Sequence, residues 1–250
     1  MVTEGLLPWY AANRRDLPWR KSREPYAVWV SEIMLQQTRV EAVIPYYRRF
    51  MQALPDVRAL ADAPEEQLLK LWEGLGYYSR VRNMQAAAGQ IVKRGGFPQT
   101  AEELKKLKGF GDYTAGAVAS IAFAQRAAAV DGNVLRVWTR MERVGESIKI
   151  PSVKRACTRA VLEAMPEEAD PGQYNQALME LGATVCTPRS PDCAHCPVQA
   201  HCGAFAADEA EDYPVKDPKP VKAVEEFDVY LIVKDGRALV RKRPKSGLLA

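Results

Sequence analysis

Residues 107–116 read LKGFGDYTAG, and this short stretch decides the fold prediction. Gly109 and Gly111 permit a tight turn, because glycine has no Cβ to clash at unusual backbone angles. The apolar helix predicted to start near Thr114 would point its free N–H groups and its positive dipole end at the turn. Such a turn can hold a phosphate, and a plain corner between two helices would use the same residues.

The residues around this turn are helical in pattern. The preceding segment AEELKKLK, residues 101–108, is not a strand, and a third glycine is missing, so a Rossmann loop is excluded. From Gly5 to about Phe205 the apolar residues recur three and four positions apart. About ten short helices with well-marked caps, such as the Thr100 capping box, predict an all-α fold, a two-lobed orthogonal helical bundle.

Composition narrows the class of protein. With 250 residues, 47% hydrophobic and 26% charged, the chain is predicted to be globular and not of low complexity. No apolar run approaches the roughly 18 residues of a membrane span and no export signal is present, so a cytosolic protein is expected. A net charge of +4 permits acidic partners without demonstrating them.

Four of the five cysteines lie within residues 186–202 and suggest a metal centre. They follow the spacing C-x6-C-x2-C-x5-C and are Cys186, Cys193, Cys196 and Cys202. Four thiolates in one loop can close a zinc site or hold an iron–sulfur cluster. Only one pair has the tight zinc-type spacing, which favours a cluster, while His195 and His201 keep a Cys/His zinc site open. Cys157, in an amphipathic helix, is expected to be a buried apolar residue.

Two further stretches place carboxylates where acid–base chemistry is possible. In AVDGNVLRV, residues 129–137, Asp131 and Asn133 open a helix, and either could simply be its N-cap. In YAVWVSEIMLQQT, residues 26–38, Glu32 is the only acid. If Glu32 faces a pocket, burial raises its pKa and makes it a general acid near neutral pH; if it faces water, it has no such role.

The pattern changes after Ala207. Residues 208–226 are charged, contain three prolines and read as a linker. Residues 227–243, FDVYLIVKDGRALVRKR, predict a β-hairpin around Asp235 and Gly236. Two strands alone are marginally stable, so a second domain that is cut short is expected over 227–250.

Together and in this order, these motifs resemble those of the helix-hairpin-helix DNA glycosylases of the endonuclease III superfamily, and within it the adenine DNA glycosylases of the MutY type. The stretches RRDLPWR (14–20), SEIMLQQT (31–38) and GLGYYSRVRN (74–83) carry the second resemblance. It implies a glycosylase domain over 1–207 that includes a [4Fe-4S] loop at 186–202. It also implies that 227–250 begin a MutT-like domain, although no pyrophosphohydrolase signature is present.

The resemblance implies a monofunctional enzyme that hydrolyses the N-glycosidic bond of adenine mispaired with 8-oxoguanine or guanine in double-stranded DNA, acting as a monomer. Glu32 would protonate adenine, Asp131 would stabilise the sugar cation, and Asn133 would position Asp131 or the attacking water. Bifunctional relatives use a lysine at the position of Tyr113 to form a Schiff base, which tyrosine cannot do. Tyr113 would instead hydrogen-bond near the sugar or assist the carboxylates.

The resemblance further implies a set of DNA contacts. Adenine would be contacted by Trp19, Arg20 and Gln176, and the vacated stack would be filled by Gln37 and Tyr77 with Leu75 behind. A flanking phosphate would be held by the amides of Gly109, Gly111 and Tyr113, and the cluster loop would present Arg189 to DNA. Trp19 and Leu75 are also residue types typical of cores.

Two other functions stay open at this point. A thymine or uracil mismatch glycosylase of the same fold can also carry a tyrosine in place of the lysine, although Glu32 suits a purine better. A catalytically silent DNA-binding module would keep the hairpin and the cluster, but the presence of Glu32, Asp131 and Asn133 together argues against it.

Overall fold

The computed structural model describes residues 4–215, 226, 228 and 230–240. The chain divides into two units, residues 1–216 and residues 217–250. The first unit is helical, which confirms the predicted all-α class, and the described part of the second contains one short hairpin. In the described part of the chain, no helix has the length and apolarity needed to cross a bilayer.

The described residues of the first unit form twelve α-helices joined by short turns. They are α1 (Leu6–Asn13), α2 (Pro25–Leu35), α3 (Val40–Ala53), α4 (Val57–Asp62), α5 (Glu65–Trp72), α6 (Ser79–Lys93), α7 (Ala101–Leu104), α8 (Asp112–Phe123), α9 (Gly132–Glu142), α10 (Pro151–Ala164), α11 (Pro171–Thr184) and α12 (Gly203–Ala206). Three 3₁₀ turns add Pro18–Arg20, Cys193–His195 and Gln199–His201.

Capping side chains fix several of these helix starts. Thr100 accepts a hydrogen bond from the Glu103 amide at 3.3 Å, and Asp170 accepts one from Gln173 at 2.9 Å, as their positions predicted. Each satisfies a backbone N–H that the first helical turn leaves without a partner, which is worth about 1 kcal/mol. The turns between the helices are therefore specified locally.

The helices pack around two hydrophobic cores, which confirms the two-lobed prediction. The first core collects α2 to α8 around buried aromatics such as Trp29 and Trp72, and the second collects α1, α9, α10 and α11. Trp29 stacks on Phe110 with ring centroids 5.2 Å apart, so α2 and the glycine turn are fixed to each other. Helix α11 packs against both α8 and α9, and it therefore joins the lobes.

Residues 208–215, at the start of the predicted linker, contact the C-terminal end of α9. Arg143 forms a two-pronged ion pair with Glu209, from Nε to Oε2 at 3.0 Å and from Nη2 to Oε1 at 2.9 Å. The Arg140 Nε donates to the Tyr213 carbonyl at 3.1 Å. Division of the chain into 1–207, 208–226 and 227–250 stays a prediction.

The described part of the second unit is the predicted hairpin. Strand β1 (Val233–Lys234) pairs antiparallel with β2 (Arg237–Ala238), with Val233 opposite Ala238. Asp235 and Gly236 turn the chain with φ values of 52° and 71°, the left-handed geometry that an Asp-Gly turn favours. The rest of the predicted MutT-like segment, residues 227, 229 and 241–250, lies outside the described residues.

Candidate active site

Glu32 lies inside the protein. Only 6% of its surface is exposed, and it occupies a helix, α2, that is buried along nearly its whole length. The phenol of Tyr113, in the first turn of α8, donates a hydrogen bond to Oε2 of Glu32 and also contacts the sulfur of Met179 at 3.4 Å. Glu32 and Tyr113, which are 81 positions apart in the sequence, therefore meet directly.

The surroundings of Glu32 shift its acidity towards neutral pH. The pKa of Glu32 is raised to about 7, and burial is the largest cause. The hydrogen bond from Tyr113 opposes this rise, the charge of Asp131 adds to it, and the charge of Arg20 opposes it. Burial and the two carboxylates also raise the pKa of Tyr113 well above its ordinary value, so it stays a neutral phenol. Near pH 7 Glu32 is therefore able both to release and to accept a proton.

Asp131 is at once the N-cap of α9 and a member of this cluster. Its Oδ1 accepts from the Val134 amide at 2.8 Å, and its Oδ2 accepts from the Asn133 side chain at 2.8 Å. Burial raises the pKa of Asp131, while these hydrogen bonds oppose that rise. Arg136 in turn donates to Asn133 Oδ1 at 2.8 Å, so the carboxylate has a fixed orientation.

Arg20 lies close to the site, but its guanidinium is already paired with the carboxylate of Glu180. Its guanidinium binds both oxygens of Glu180, at 3.1 and 2.8 Å, and Arg15 binds the same carboxylate from the other side at 2.9 and 2.8 Å. Arg20 also lies over the ring of Tyr10, 5.6 Å from its centroid. The predicted contact of Arg20 with adenine stays a prediction, and its observed partner is Glu180.

The other predicted base-contacting residues are packed to different degrees. Trp19 is 7% exposed and meets Tyr47 edge-on at 5.4 Å, and Leu75 is also buried, in the first core. Gln176 is half-buried and accepts from the Tyr10 hydroxyl at 3.2 Å. By contrast, Tyr77 is 65% exposed and Gln37 is exposed, and their entry into the DNA stack stays a prediction.

The glycine turn needs glycine at only one of its two positions. Gly109 has φ +78°, and a Cβ there would lie 2.8 Å from the Cβ of Asn83. Gly111 has φ −92°, and a Cβ there would meet nothing within 4 Å, so the prediction that a missing Cβ at Gly111 permits the tight turn is wrong. Its missing side chain instead leaves the N-terminus of α8 open to close approach.

The four cysteines of residues 186–202 gather around the end of α9. They are half-buried, and burial raises the pKa of the Cys196 thiol to about 11; the Val198 backbone hydrogen bond opposes this rise, and the charges of the other three cysteines add to it. Arg140 donates to the sulfur of Cys186 at 3.2 Å and supports the loop through the Thr187 carbonyl at 2.7 Å. Arg189 is exposed on the same loop. Cys157 is fully buried, as predicted.

The donor set fits a cluster better than a single ion. A tetrahedral zinc site brings its sulfurs to roughly 3.8 Å from one another, given a Zn–S bond of about 2.3 Å. Among the residues that the structure describes, no three His, Cys, Asp or Glu side chains converge in a way that could hold one metal ion. Ligands of an iron–sulfur cluster are Cys thiolates that bind different iron atoms, and the loop supplies four half-buried cysteines for this role.

Several residues of the site were not identified from the sequence. They are Tyr10, Arg15, Arg136, Met179 and Glu180. The sequence contains a signal for Glu180, because it is the only acid in PGQYNQALMELGAT, the same pattern that drew attention to Glu32. Met179 and Tyr10 carry no such signal, since they resemble ordinary core residues.

A buried carboxylic acid and a second carboxylate beside a helix-hairpin-helix turn, together with a four-cysteine loop, define the class of helix-hairpin-helix base-excision proteins. Comparison with protein families agrees. The chain belongs to the HhH-GPD superfamily of base excision DNA repair proteins, whose model matches residues 30–162. The iron–sulfur binding domain of endonuclease III matches residues 186–202, which begin and end with cysteine. This confirms the predicted [4Fe-4S] cofactor.

Curated relatives include several named adenine DNA glycosylase. The protein of Mus musculus is 50% identical over 211 residues, which cover 80% of this chain and 41% of the relative. That of Arabidopsis thaliana is 41% identical and covers all of this chain and 46% of the relative. The protein of Schizosaccharomyces pombe is 34% identical, and the match covers 99% of this chain and 67% of the relative. The chain thus spans less than half the length of the first two.

Solved structures of similar fold include a thymine-DNA glycosylase and an endonuclease III. A thermostable thymine-DNA glycosylase has a TM-score of 0.72 and 26% identity, covering 81% of this chain and 94% of that one. An endonuclease III trapped as a covalent intermediate with DNA has a TM-score of 0.68 and 23% identity, and the match covers 81% of this chain and 93% of that one. The second likeness concerns the fold alone.

Proposed function

We propose that this chain is a monofunctional DNA glycosylase that hydrolyses the N-glycosidic bond of adenine mispaired with 8-oxoguanine or guanine. The observation that carries the proposal is the buried Glu32, with a pKa of about 7, hydrogen-bonded to Tyr113. The names of the curated relatives support the choice of adenine. The substrate is double-stranded DNA, bound by a monomer in the cytoplasm, in bacteria at the nucleoid.

Glu32 is the general acid in this mechanism. Its carboxyl proton passes to a ring nitrogen of adenine, the bond between the sugar C1′ and adenine breaks, and the bonding electron pair leaves with the base. Burial keeps a large fraction of Glu32 protonated at neutral pH, whereas an exposed glutamate with a pKa near 4.3 would be almost entirely ionised. The buried position of Glu32 in α2 therefore keeps a proton available for adenine at neutral pH.

Asp131 stabilises the sugar cation that remains. Its two oxygens are held by the Val134 amide and by Asn133, so the negative charge need not reorient as the cation forms. A water molecule then adds to C1′, and the Glu32 carboxylate takes its proton. Tyr113 holds Glu32 and forms no imine, so the strand stays intact.

DNA binding uses other parts of the same domain. The amides near Gly109, Gly111 and Tyr113 at the open N-terminus of α8 hold a phosphate, and Arg189 reaches the backbone from the cluster loop. The target nucleotide must leave the stack, and Gln37 and Tyr77 fill the space it vacates. The [4Fe-4S] cluster, held by Cys186, Cys193, Cys196 and Cys202, supplies the cross-link that keeps this loop folded.

The deciding experiment measures single-turnover base release from duplexes that contain adenine opposite 8-oxoguanine, adenine opposite guanine, or thymine opposite guanine. Adenine release opposite 8-oxoguanine is expected to be fastest. Borohydride is expected to trap no covalent complex, because Tyr113 occupies the turn position at which bifunctional relatives carry their lysine. Faster thymine release would establish the second candidate, a thymine mismatch glycosylase, which the 26% identity to a thymine-DNA glycosylase favours.

A further inference from the structure

Two loops of the first lobe carry side chains in a backbone conformation that is unfavourable for them. The Gln37 loop (residues 36–39) follows α2, and the Tyr77 loop (residues 73–78) joins α5 to α6. Gln37 has φ +61° and Tyr77 has φ +46°, both in the left-handed region that glycine normally occupies. Such residues persist only where their surroundings fix the backbone. Each loop therefore needs a restraint.

A single side chain, Arg80, supplies this restraint to both loops. Its Nη1 donates to the carbonyls of Ile33 and Gln36 at 2.9 and 2.5 Å. Its Nη2 donates to the carbonyls of Leu75 and Gly76 at 2.9 and 3.3 Å. Gln36 and Gly76 directly precede Gln37 and Tyr77, so the guanidinium fixes the peptide group that leads into each left-handed residue.

Arg80 also links the exposed aromatic ring to the core. Its guanidinium carbon lies 5.6 Å from the ring centroid of Tyr77 and 5.5 Å from that of Trp72. Trp72 is fully buried, and its indole N–H donates to the Gly76 carbonyl at 3.1 Å. A planar fork with several donors can make these contacts at once, whereas a lysine ammonium is a point charge and cannot.

An arginine near DNA commonly binds a phosphate, but the contacts of Arg80 argue against that role. Both terminal nitrogens already donate to protein carbonyls, and the side chain is only half exposed. Arg82, two residues further along α6, is the contrasting case. It is exposed and forms an ordinary surface ion pair with Glu65 at 3.2 Å.

We propose that Arg80 is a positioning residue that holds Gln37 and Tyr77 in the conformation in which they enter the DNA stack when the target base is extruded. The inference rests on the proposed function, because it assigns these two side chains to the vacated stack. It goes further by naming the group that sets their geometry. Arg80 itself touches neither the base nor the reacting atoms.

The test compares Arg80→Lys with Arg82→Lys as a control that retains the same charge. Single-turnover adenine release is measured on two duplexes, one fully paired and one with a one-nucleotide gap beside the target adenine, where one stacking neighbour is missing. We expect Arg80→Lys to be about 30- to 100-fold slower on the paired duplex and within about 3-fold of the parent on the gapped one. Arg82→Lys should stay within about 2-fold on both.

The ratio of the two rates within one preparation does not depend on how much of the variant is folded. An equal loss on both duplexes, or no loss on either, would overturn the proposal. If the parent itself releases no adenine, the proposed function fails, and extrusion is followed instead by the fluorescence of 2-aminopurine at the target position. A smaller fluorescence rise with Arg80→Lys than with Arg82→Lys then supports the positioning role, and equal rises refute it.

Discussion

Two buried glutamates in this protein have opposite acidities. Glu32 on α2 is 6% exposed and Glu180 on α11 is 1% exposed, and each is the only acid in its helix. The pKa of Glu32 is raised to about 7, whereas that of Glu180 is lowered to about 2. Burial opposes ionisation at both, but two arginines outweigh it at Glu180, and Glu32 receives one phenol. Partners, and not burial, decide which glutamate holds a proton.

The largest effect is expected from removing Glu32, the proposed proton donor. Glu32→Gln should slow single-turnover adenine release by about 10³-fold, because the leaving base is no longer protonated. The matched control is Glu180→Gln, which keeps Glu32 and should retain a far larger share of the rate. Affinity for a duplex carrying an abasic-site analogue, measured by fluorescence anisotropy, should be unchanged in Glu32→Gln. A rate within 10-fold of the parent would remove Glu32 from the mechanism.

The next largest effect concerns stability at the other glutamate. Glu180→Gln should lower the free energy of unfolding at pH 7 by about 3 kcal/mol, because Arg15 and Arg20 are left without their shared anion. The lowered pKa of Glu180 means that its contribution exists above the unfolded pKa near 4.5 and is lost as pH falls towards 2. Urea titrations at pH 7 and pH 3 check this. A loss that does not shrink at pH 3 would contradict the ion-pair explanation.

Replacing Glu32 should change the free energy of unfolding in the opposite direction. Its raised pKa makes ionisation in the folded protein costly, and this cost grows as pH rises from about 4.5 to about 7. Glu32→Gln removes the cost, so the variant should be more stable than the parent by about 1 to 3 kcal/mol at pH 8 and equally stable at pH 4.5. Equal stabilities at pH 8, in the same urea titrations, would show that Glu32 ionises freely in the folded state.

A smaller effect is expected from Tyr113. The parent's rate of adenine release should fall as pH rises through about 7, where Glu32 loses its proton. Tyr113→Phe removes a hydrogen bond that lowers the pKa of Glu32, so this limb should move to higher pH. At pH 7 the extra protonation can raise the rate by at most about twofold, since about half of the acid is already protonated. A limb that moves down would exclude this role of the phenol.

The smallest effect is expected at the glycine turn. Gly111→Ala should leave the unfolding free energy within about 1 kcal/mol of the parent, because φ is ordinary and the space is open. The same variant should bind DNA more weakly, since the new methyl group lies where a phosphate is proposed to approach. Gly109→Ala is the contrasting variant, and it should destabilise the fold because of its left-handed backbone. Unchanged DNA affinity in Gly111→Ala would argue against a phosphate at this turn.

Local patterns were enough to predict most of the fold. Helical periodicity, caps such as Thr100 and the Asp-Gly turn at Asp235 depend on neighbours in sequence, and the structure contains all of them. The partnership of Arg20 with Glu180 joins residues 160 positions apart, so no local pattern could indicate it. The left-handed backbone at Gln37 and Tyr77 could not be predicted from local sequence either, because Arg80 holds it and no glycine marks either position.

The ion cluster of Arg15, Arg20 and Glu180 also bears on the order in which the chain can fold during synthesis. Helix α1 and Arg15 leave the ribosome well before α11, on which they pack and whose Glu180 follows 165 residues after Arg15. At about 5 to 20 residues per second, the N-terminal segment waits roughly 8 to 30 seconds for its partner. The first lobe can close during that interval, and the second lobe can close only when both ends of the domain have been made.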